Sequence, residues 1–460
     1  LDGEVTADIS VNITDTTVLT LGDHAVIFTV SDSNGNISTE TITLTVQVFD
    51  VFDFEYKLFN NNTEIIITEY QNNAPKTVFI PDTIGGVKIT TIGEHVFEEK
   101  NIDAVYLPMY IETIESYAFM NNNLTSIFLP DSLVTIEKDA FSFNQLTSLT
   151  IGNSVTTIGN RAFMDNPIMT LSLGDSITTI GESAFSQTGI TEVTLPDSLI
   201  TIGYRAFYNN SNLSIVNLGE GVTTIGDEAF QYNLITSIIL PDSVEAIGNQ
   251  AFADNQIANL VIGNNIVSIG ILAFDDNQIT SVVLPDSVTT LGYGAFQENL
   301  ITYVSIGNGI TTIGARAFAD NLVASLFIGS NVTTIGEFAF FNNNLTNVVF
   351  PDSVEVIEQS AFGWNDLTGV TFGPNITTIG SSAFRMNLLS NILLPDSLTT
   401  IGSYAFDLND LTSIIIPASV TMIGDVAFSN NSFTSVTILG EETRFNDDWV
   451  SIGFPIVLMP

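Results

Sequence analysis

Hydrophobic positions recur through most of this chain with a fixed period. A small residue followed by phenylalanine appears at Phe97, Phe119, Phe141, Phe163, Phe185, Phe207, Phe230 and Phe252. It continues at Phe274, Phe296, Phe318, Phe340, Phe362, Phe384, Phe406 and Phe428. Fourteen of the fifteen steps are 22 residues and one is 23, the extra residue falling in Tyr208-Asn209-Asn210-Ser211-Asn212. Sixteen near-identical units of this length predict a solenoid. Residues 146–163 illustrate one unit. Leu146, Leu149 and Ile151 point apolar side chains to one side and predict a strand. Gly152-Asn153-Ser154 predicts a turn, written Pro130-Asp131-Ser132 or Pro285-Asp286-Ser287 in other units. Val155-Thr156-Thr157-Ile158 predicts a second short strand, Gly159 ends it, and Ala162-Phe163 is expected to close the coil in a helical turn.

An asparagine follows the phenylalanine by three residues in fourteen of the sixteen units, as at Asn144, Asn166, Asn255, Asn321 and Asn409; the exceptions are Lys100 and Thr188. An asparagine column inside a solenoid is read as structural, its amide satisfying backbone groups of adjacent coils. One coil cannot stand alone. Six inward apolar side chains contribute at most about 18 kcal/mol, while ordering 22 residues costs at least about 22 kcal/mol. Stacking closes the gap, and about 4.8 Å per coil gives a rod of roughly 72 Å.

At these residues the chain resembles a known family. The unit L-T-S-V-x-L-P-D-S-V-T-T-I-G-x-x-A-F is similar to the BspA-type leucine-rich repeat of bacterial and protist surface proteins, over about residues 52–440. The stretch from Phe54 through Phe97 resembles that family's N-terminal cap. Asparagine stands where many members carry cysteine at the turn. The resemblance implies an extracellular, mostly β solenoid of about 16 coils with parallel sheets, acting in adhesion or ligand binding. The expected layout is an N-terminal cap at 49–92, the leucine-rich-repeat solenoid at 93–439 and a C-terminal cap at 440–460, which contains Trp449 and Phe454.

Residues 1–48 have a different texture. Two alternating runs, residues 21–30 and 41–48, flank the turn-forming Ser31-Asp32-Ser33-Asn34-Gly35-Asn36. With Asp2-Gly3-Glu4-Val5-Thr6 they resemble the second half of a bacterial Ig-like module, a partial β-sandwich whose first strands are expected to precede Leu1. A half sandwich leaves an unpaired edge open to self-association, and the apolar residues 454–459 are a candidate donor strand.

Composition narrows the function. With 10 Lys+Arg against 51 Asp+Glu the formal charge is −41, a field that repels phosphate backbones and excludes nucleic acid as a partner. There is no cysteine, hence no thiolate chemistry and no disulfide. No apolar run reaches about 18 residues, so no membrane span is expected. His24 and His95 lack carboxylate or serine partners at catalytic spacing, and no phosphate-loop, metalloprotease or EF-hand motif occurs. No cofactor is expected. Residues 32–36 and Asn446-Asp447-Asp448 offer the oxygen ligands that calcium takes, and the same residues make good turns.

What remains is surface. Seven residues after each phenylalanine lies an outward column of small polar residues, among them Ser126, Ser148, Ser237 and Asn259. Nine residues after it the column turns apolar toward the middle and C-terminal end: Ile239, Val261, Val283, Phe327, Val349, Leu393 and Ile415, with Tyr303 beside it. Exposed apolar stripes often mark a partner surface, although β-branched residues also favour solvent-facing strands. A threonine column, including Thr157, Thr179, Thr312 and Thr400, marks the second short run. The chain is therefore read as a non-enzymatic extracellular adhesion or ligand-binding module of a larger cell-surface protein, its ligand a protein or a glycan. The alternative is a self-assembling subunit of an extracellular fibre or sheath. The charge carries a prediction of its own. The melting temperature should rise as salt increases from about 10 mM and level off by about 500 mM, where the Debye length is only a few ångströms. A scan flat over this range would show that carboxylate repulsion does not limit stability.

Overall fold

The computed structural model describes residues 22–31, 37–46, 53–72, 74–440 and 443–445. Two compact units divide the chain, Leu1–Phe54 and Glu55–Pro460. In the first, Gly22–Ser31 pairs antiparallel with Ile37–Val46 in continuous register from Gly22↔Val46 to Ser31↔Ile37. The remaining strands expected of an Ig-like module, and the turn at 32–36, lie outside the described residues.

The second unit is a β solenoid. Seventeen short strands, from Val87–Ile92 to Arg444–Phe445, form its short-strand face, in one thirteen-stranded and one seven-stranded sheet. These sheets meet without a ladder between Thr290–Leu291 and Thr312–Ile313. Glu64–Tyr70 pairs parallel with Val87–Ile92 and starts the stack, and Tyr70 packs 4.9 Å from the Phe97 ring. A long-strand face carries the three-residue strands such as Ser148–Thr150 and Ser237–Ile239. The third side is the turn containing the phenylalanine.

The phenylalanines form one internal column. All sixteen are fully buried, and successive rings stack at 4.8–5.6 Å within 15° of parallel. That spacing follows the coil rise and slightly exceeds it, as offset rings require. The asparagine column does the polar work expected of it. Asn166 Nδ2 donates to the Phe163 carbonyl of its own coil at 3.1 Å and to the Phe141 carbonyl of the previous coil at 2.9 Å. Nδ2 also reaches the Met164 carbonyl at 3.3 Å and Oδ1 accepts from the Leu146 amide at 3.1 Å, so one buried side chain satisfies four backbone groups on two coils. At the exception Thr188, the hydroxyl and amide both donate to Asn210 Oδ1 of the next coil.

The turn around each phenylalanine is not helical, which corrects the reading of the sequence. Residues two before and two after every phenylalanine take left-handed backbone conformations, with φ between 48 and 61°. Thirty-one of these thirty-two residues are not glycine. The alternation points every second N–H along the solenoid axis. Arg161, Phe163 and Asp165 donate to the carbonyls of Glu182, Ala184 and Ser186 in the next coil, at 2.7, 2.9 and 3.1 Å. A helical turn would close these groups within one coil, whereas the stack uses them between coils. Each left-handed residue costs about 1 kcal/mol or more. Asparagine or aspartate, which tolerate it best, occupy half of the positions two after the phenylalanine.

The long-strand face is segmented, and one position decides where. Eleven residues after each phenylalanine the chain carries either proline or glycine over most of its length. From residue 148 onward, a ladder continues only into a coil without proline there, the position being glycine in each case but the last, where Ser413–Ile416 continues into Ser435–Ile438 and Leu439 follows. Ser148–Thr150 continues into Thr170–Ser172, Glu192–Thr194 into Ile215–Asn217, and Ser281–Val283 through Tyr303–Ser305 into Ser325–Phe327. Each break precedes a proline coil, at Pro196, Pro241, Pro285, Pro351, Pro395 and Pro417. The cause is close approach. A Cβ added at Gly174, Gly219, Gly263, Gly307, Gly329 or Gly373 would lie 2.3–2.6 Å from the carbonyl oxygen at the same position of the preceding coil. Proline has a Cβ and no N–H, so its coil stands off and the ladder opens. Gly152 opens a segment, and a Cβ there would meet only Asp131 Oδ1 at 3.7 Å. Gly174→Ala should therefore destabilise by about 2–3 kcal/mol in urea unfolding, whereas Gly152→Ala should change stability by less than about 0.5 kcal/mol. Equal effects would refute the close-approach account.

Candidate binding face

Parallel register places the candidate residues in one line. Ile239 lies opposite Val261, Ser305 opposite Phe327, and Val349 opposite Thr371 on neighbouring strands of the long-strand face. Ile239, Phe327 and Val349 are 66%, 60% and 65% exposed, and Val261, Val283 and Ile415 are exposed beside them. Their strand neighbours Ile238, Val348 and Ile414 are buried, so the strict in-and-out alternation of each strand brings the exposed apolar groups to one side. Tyr303 belongs to the neighbouring column, between Ser281 and Ser325. Leu393 is in the line, yet the segment that carries it is not a strand; its coil bears Pro395, and it is 81% exposed.

The same column extends further than the sequence reading carried it. Tyr106 and Phe128 occupy it at the N-terminal end, Phe128 at 78% exposure, and Tyr106 stacks on Phe79 at 4.2 Å. The signal was present, since both stand nine residues after Phe97 and Phe119. Between the two apolar stretches the column reads Thr150, Ser172, Thr194 and Asn217. A cleft of about 260 Å³ opens there, lined by Leu171, Ser172, Asp175, Glu192, Thr194 and Pro196. It lies where Pro196 interrupts the ladder.

The other candidate chemistry resolves into structure. His95 Nδ1 lies 2.6 Å from Glu98 Oε2, and its ring stacks on Tyr117 at 4.7 Å on the exposed turn face. The side chain of His24 and both calcium candidates, at 32–36 and 446–448, lie outside the described residues. Among the described residues no group of three or more His, Asp or Glu is placed to hold a metal ion. Nor does any described helix have the length and apolarity to cross a membrane. On the short-strand face, threonine hydroxyls one residue before the expected column donate to the previous coil, as from Thr178 to the Thr156 carbonyl at 3.2 Å.

Charge on the turn face is partly paired across coils. Asp139 and Asp407, both buried, hold Arg161 at 2.7 Å and Arg385 at 2.9 Å. Asp275 has no such partner. Burial, with Glu298, Asp254 and Asp276 nearby, pushes its carboxyl up to about 7. Among the described residues nothing donates to its buried Oδ1.

Parallel strands repeated every 22 residues around a stacked apolar core, with exposed side chains aligned across coils, define a leucine-rich-repeat solenoid. The chain matches the model of the BspA type leucine rich repeat region over residues 90–214, 163–277, 246–368 and 333–449. It belongs to this family. No curated protein matches the chain significantly. Similar solved structures include a leucine-rich repeat protein from Bacteroides ovatus, at 20% identity over 87% of this chain and 90% of that one, with a TM-score of 0.48. A leucine rich cell surface protein from Faecalibacterium prausnitzii is 20% identical over 89% of this chain and 98% of its own, with a TM-score of 0.41. The pneumococcal vaccine antigen PcpA is 20% identical over 86% and 99%, with a TM-score of 0.42.

The position of Asp275 carries a pH dependence. Its folded pKa lies above the unfolded carboxylate value of roughly 4, so the native state binds the extra proton between the two. This group therefore adds stability as pH falls from about 8 through 7, the gain being complete below about 4. Asp275→Asn should raise the melting temperature at pH 8 by about 1–3 °C and have no stabilising effect at pH 4. A variant whose effect is the same at both values would show that Asp275 is not held neutral by its surroundings.

Proposed function

We propose that this chain is a non-enzymatic binding module of an extracellular cell-surface protein, and that it grips a protein partner along its long-strand face. The observation that carries the reading is the exposed apolar line of Ile239, Val261, Val283, Phe327, Val349, Leu393 and Ile415, flanked by Tyr303 and containing no lysine or arginine. Solvated strands of a protein with 51 acidic residues have no need of aliphatic and aromatic groups in that column. Aliphatic ridges of this kind match apolar side chains of another protein better than the hydroxyl-rich surface of a glycan. Membership of the BspA-type family supports a surface location and a binding role.

The partner meets a segmented face. From Pro196 onward backbone ladders stop before each proline coil, so the apolar line crosses several short sheets in place of one continuous sheet. Leu393, beside one such break, is the most exposed member of the line. The polar stretch from Thr150 to Asn217 separates the N-terminal patch of Phe79, Tyr106 and Phe128 from the longer one. A partner bound along the longer patch would bury its residues near the centre, where interface energy concentrates.

Purified protein with Phe327→Ser and Val349→Thr, measured by surface plasmon resonance against a panel of immobilised extracellular-matrix and host-surface proteins, tests this. The double variant should lose at least tenfold in affinity for whichever protein the parent binds, and its stability should stay within about 1 kcal/mol because both side chains are already exposed. Undiminished binding would remove the long-strand face as the interface.

A further inference from the structure

The turn face holds a notch that the long-strand face does not explain. Along the column two before each phenylalanine, Phe338 is followed by Ser360 and Ser382; along the column one after it, Phe341 is followed by Gly363 and then Arg385. Small residues thus sit between large ones on consecutive coils. The result is a cavity of about 200 Å³, walled by Phe338 and Phe341, floored by Ser360, Gly363 and Ser382, and bounded by Trp364 and Arg385. Phe338 and Phe341 meet edge to face at 5.4 Å, and Phe341 lies 6.1 Å from Trp364 at a 46° tilt. Trp364 stands half exposed at the rim.

Two of the three basic side chains after residue 205 gather here. Arg316 lies over the Phe338 ring at 4.7 Å, and Arg385 packs against Tyr404 at 5.3 Å while its Nε donates to Asp407 at 2.9 Å. The contrast with other arginines is informative. Arg161 makes two hydrogen bonds to Asp139, through Nε and Nη2, and Arg205 reaches Glu228 with both Nε and Nη2. At Arg385 the second aspartate oxygen is taken by Asn430 Nδ2 at 2.8 Å. Among the described residues the terminal nitrogens of Arg385 have no hydrogen-bond partner, and the residue is part of the cavity lining. A guanidinium keeps five donors, so several remain for a ligand.

We propose that this notch binds one neutral pyranose residue of a glycan. An indole and two phenyl rings offer apolar faces to the C–H side of a sugar ring. Free guanidinium donors and the two serines suit its hydroxyl oxygens. The volume admits about one such ring, less than the few hundred cubic ångströms a drug-sized ligand takes. The formal charge of −41 disfavours an anionic sugar despite the local arginines. An apolar peptide side chain would leave the arginine donors unpaired on burial.

Methyl glycosides of glucose, galactose, mannose and N-acetylglucosamine test the site, read by tryptophan emission and by isothermal titration. At least one should bind the full chain in the millimolar range and shift the emission to the blue, because Trp364 loses solvent. Trp364→Ala should weaken that binding at least tenfold and Trp364→Phe by less. Gly363→Leu should abolish it by filling the notch; a Cβ at Gly363 has its nearest neighbours at 3.4 Å, so the fold tolerates one. Melting temperature checks that each variant folds. The double variant Phe327→Ser, Val349→Thr should bind the glycoside unchanged, which separates this site from the long-strand face. The proposal is overturned if no glycoside binds at 10 mM, if Gly363→Leu binds as the parent does, or if methyl glucuronide or N-acetyl-phenylalanine amide binds more tightly than every neutral glycoside.

Discussion

Every feature of this solenoid depends on the distance between one coil and the next. Backbone N–H groups on all three sides donate across that gap, and their geometry tolerates only a few tenths of an ångström. Once the rise is set, side chains 22 residues apart become neighbours, and each position of the repeat becomes a column. The phenylalanine rings stack because the rise allows parallel rings, and the asparagines reach two coils because the rise brings both within hydrogen-bond range. Left-handed residues flanking each phenylalanine are the conformational cost of pointing their amides at the next coil. That cost recurs in every unit and is offset by three inter-coil bonds on the turn side alone.

Where the gap cannot be kept uniform, the surface acquires its individuality. Glycine lets a coil approach so closely that a Cβ would collide with the preceding carbonyl, and proline forbids the same approach. The long-strand face is therefore a series of short ladders, with a cleft beside Pro196 and the most exposed apolar residues, Phe128 and Leu393, on coils that form no strand there. A perfectly regular stack would present a flat, repetitive wall. The breaks make one stretch distinguishable from another, which a specific partner requires.

Charge follows the same logic of columns. Like carboxylates in adjacent coils repel along the axis, and the chain relieves this in a few places by placing arginine one coil away, as with Arg161 and Asp139. Asp275 lacks that relief and sits among Asp254, Asp276 and Glu298, so burial and repulsion both favour its protonated form. The few basic residues matter for their placement. Asp407 shares its carboxylate between Arg385 and Asn430, leaving a guanidinium partly unpaired beside an aromatic notch.

Periodicity alone determined much of this. Spacing identified the sixteen coils, the buried phenylalanine and asparagine columns, the alternating strands and the exposed apolar line, because residues one repeat apart must meet once coils stack. The turn around the phenylalanine was misread as helical: Ala-Phe between polar residues looks the same whether its amides close within a coil or reach the next, and the choice is made by left-handed backbone angles at residues such as Arg161 and Asp165. The prolines and glycines eleven residues after each phenylalanine were legible as turns, but not as the points that break or join a ladder. That depended on an approach measured in tenths of an ångström between residues 22 apart. The notch beside Trp364 and the raised carboxyl of Asp275 were equally out of reach, since both arise from which columns lie side by side around the coil. A repeat pattern specifies neighbours along the axis; only the closed three-dimensional path of each coil specifies neighbours around it.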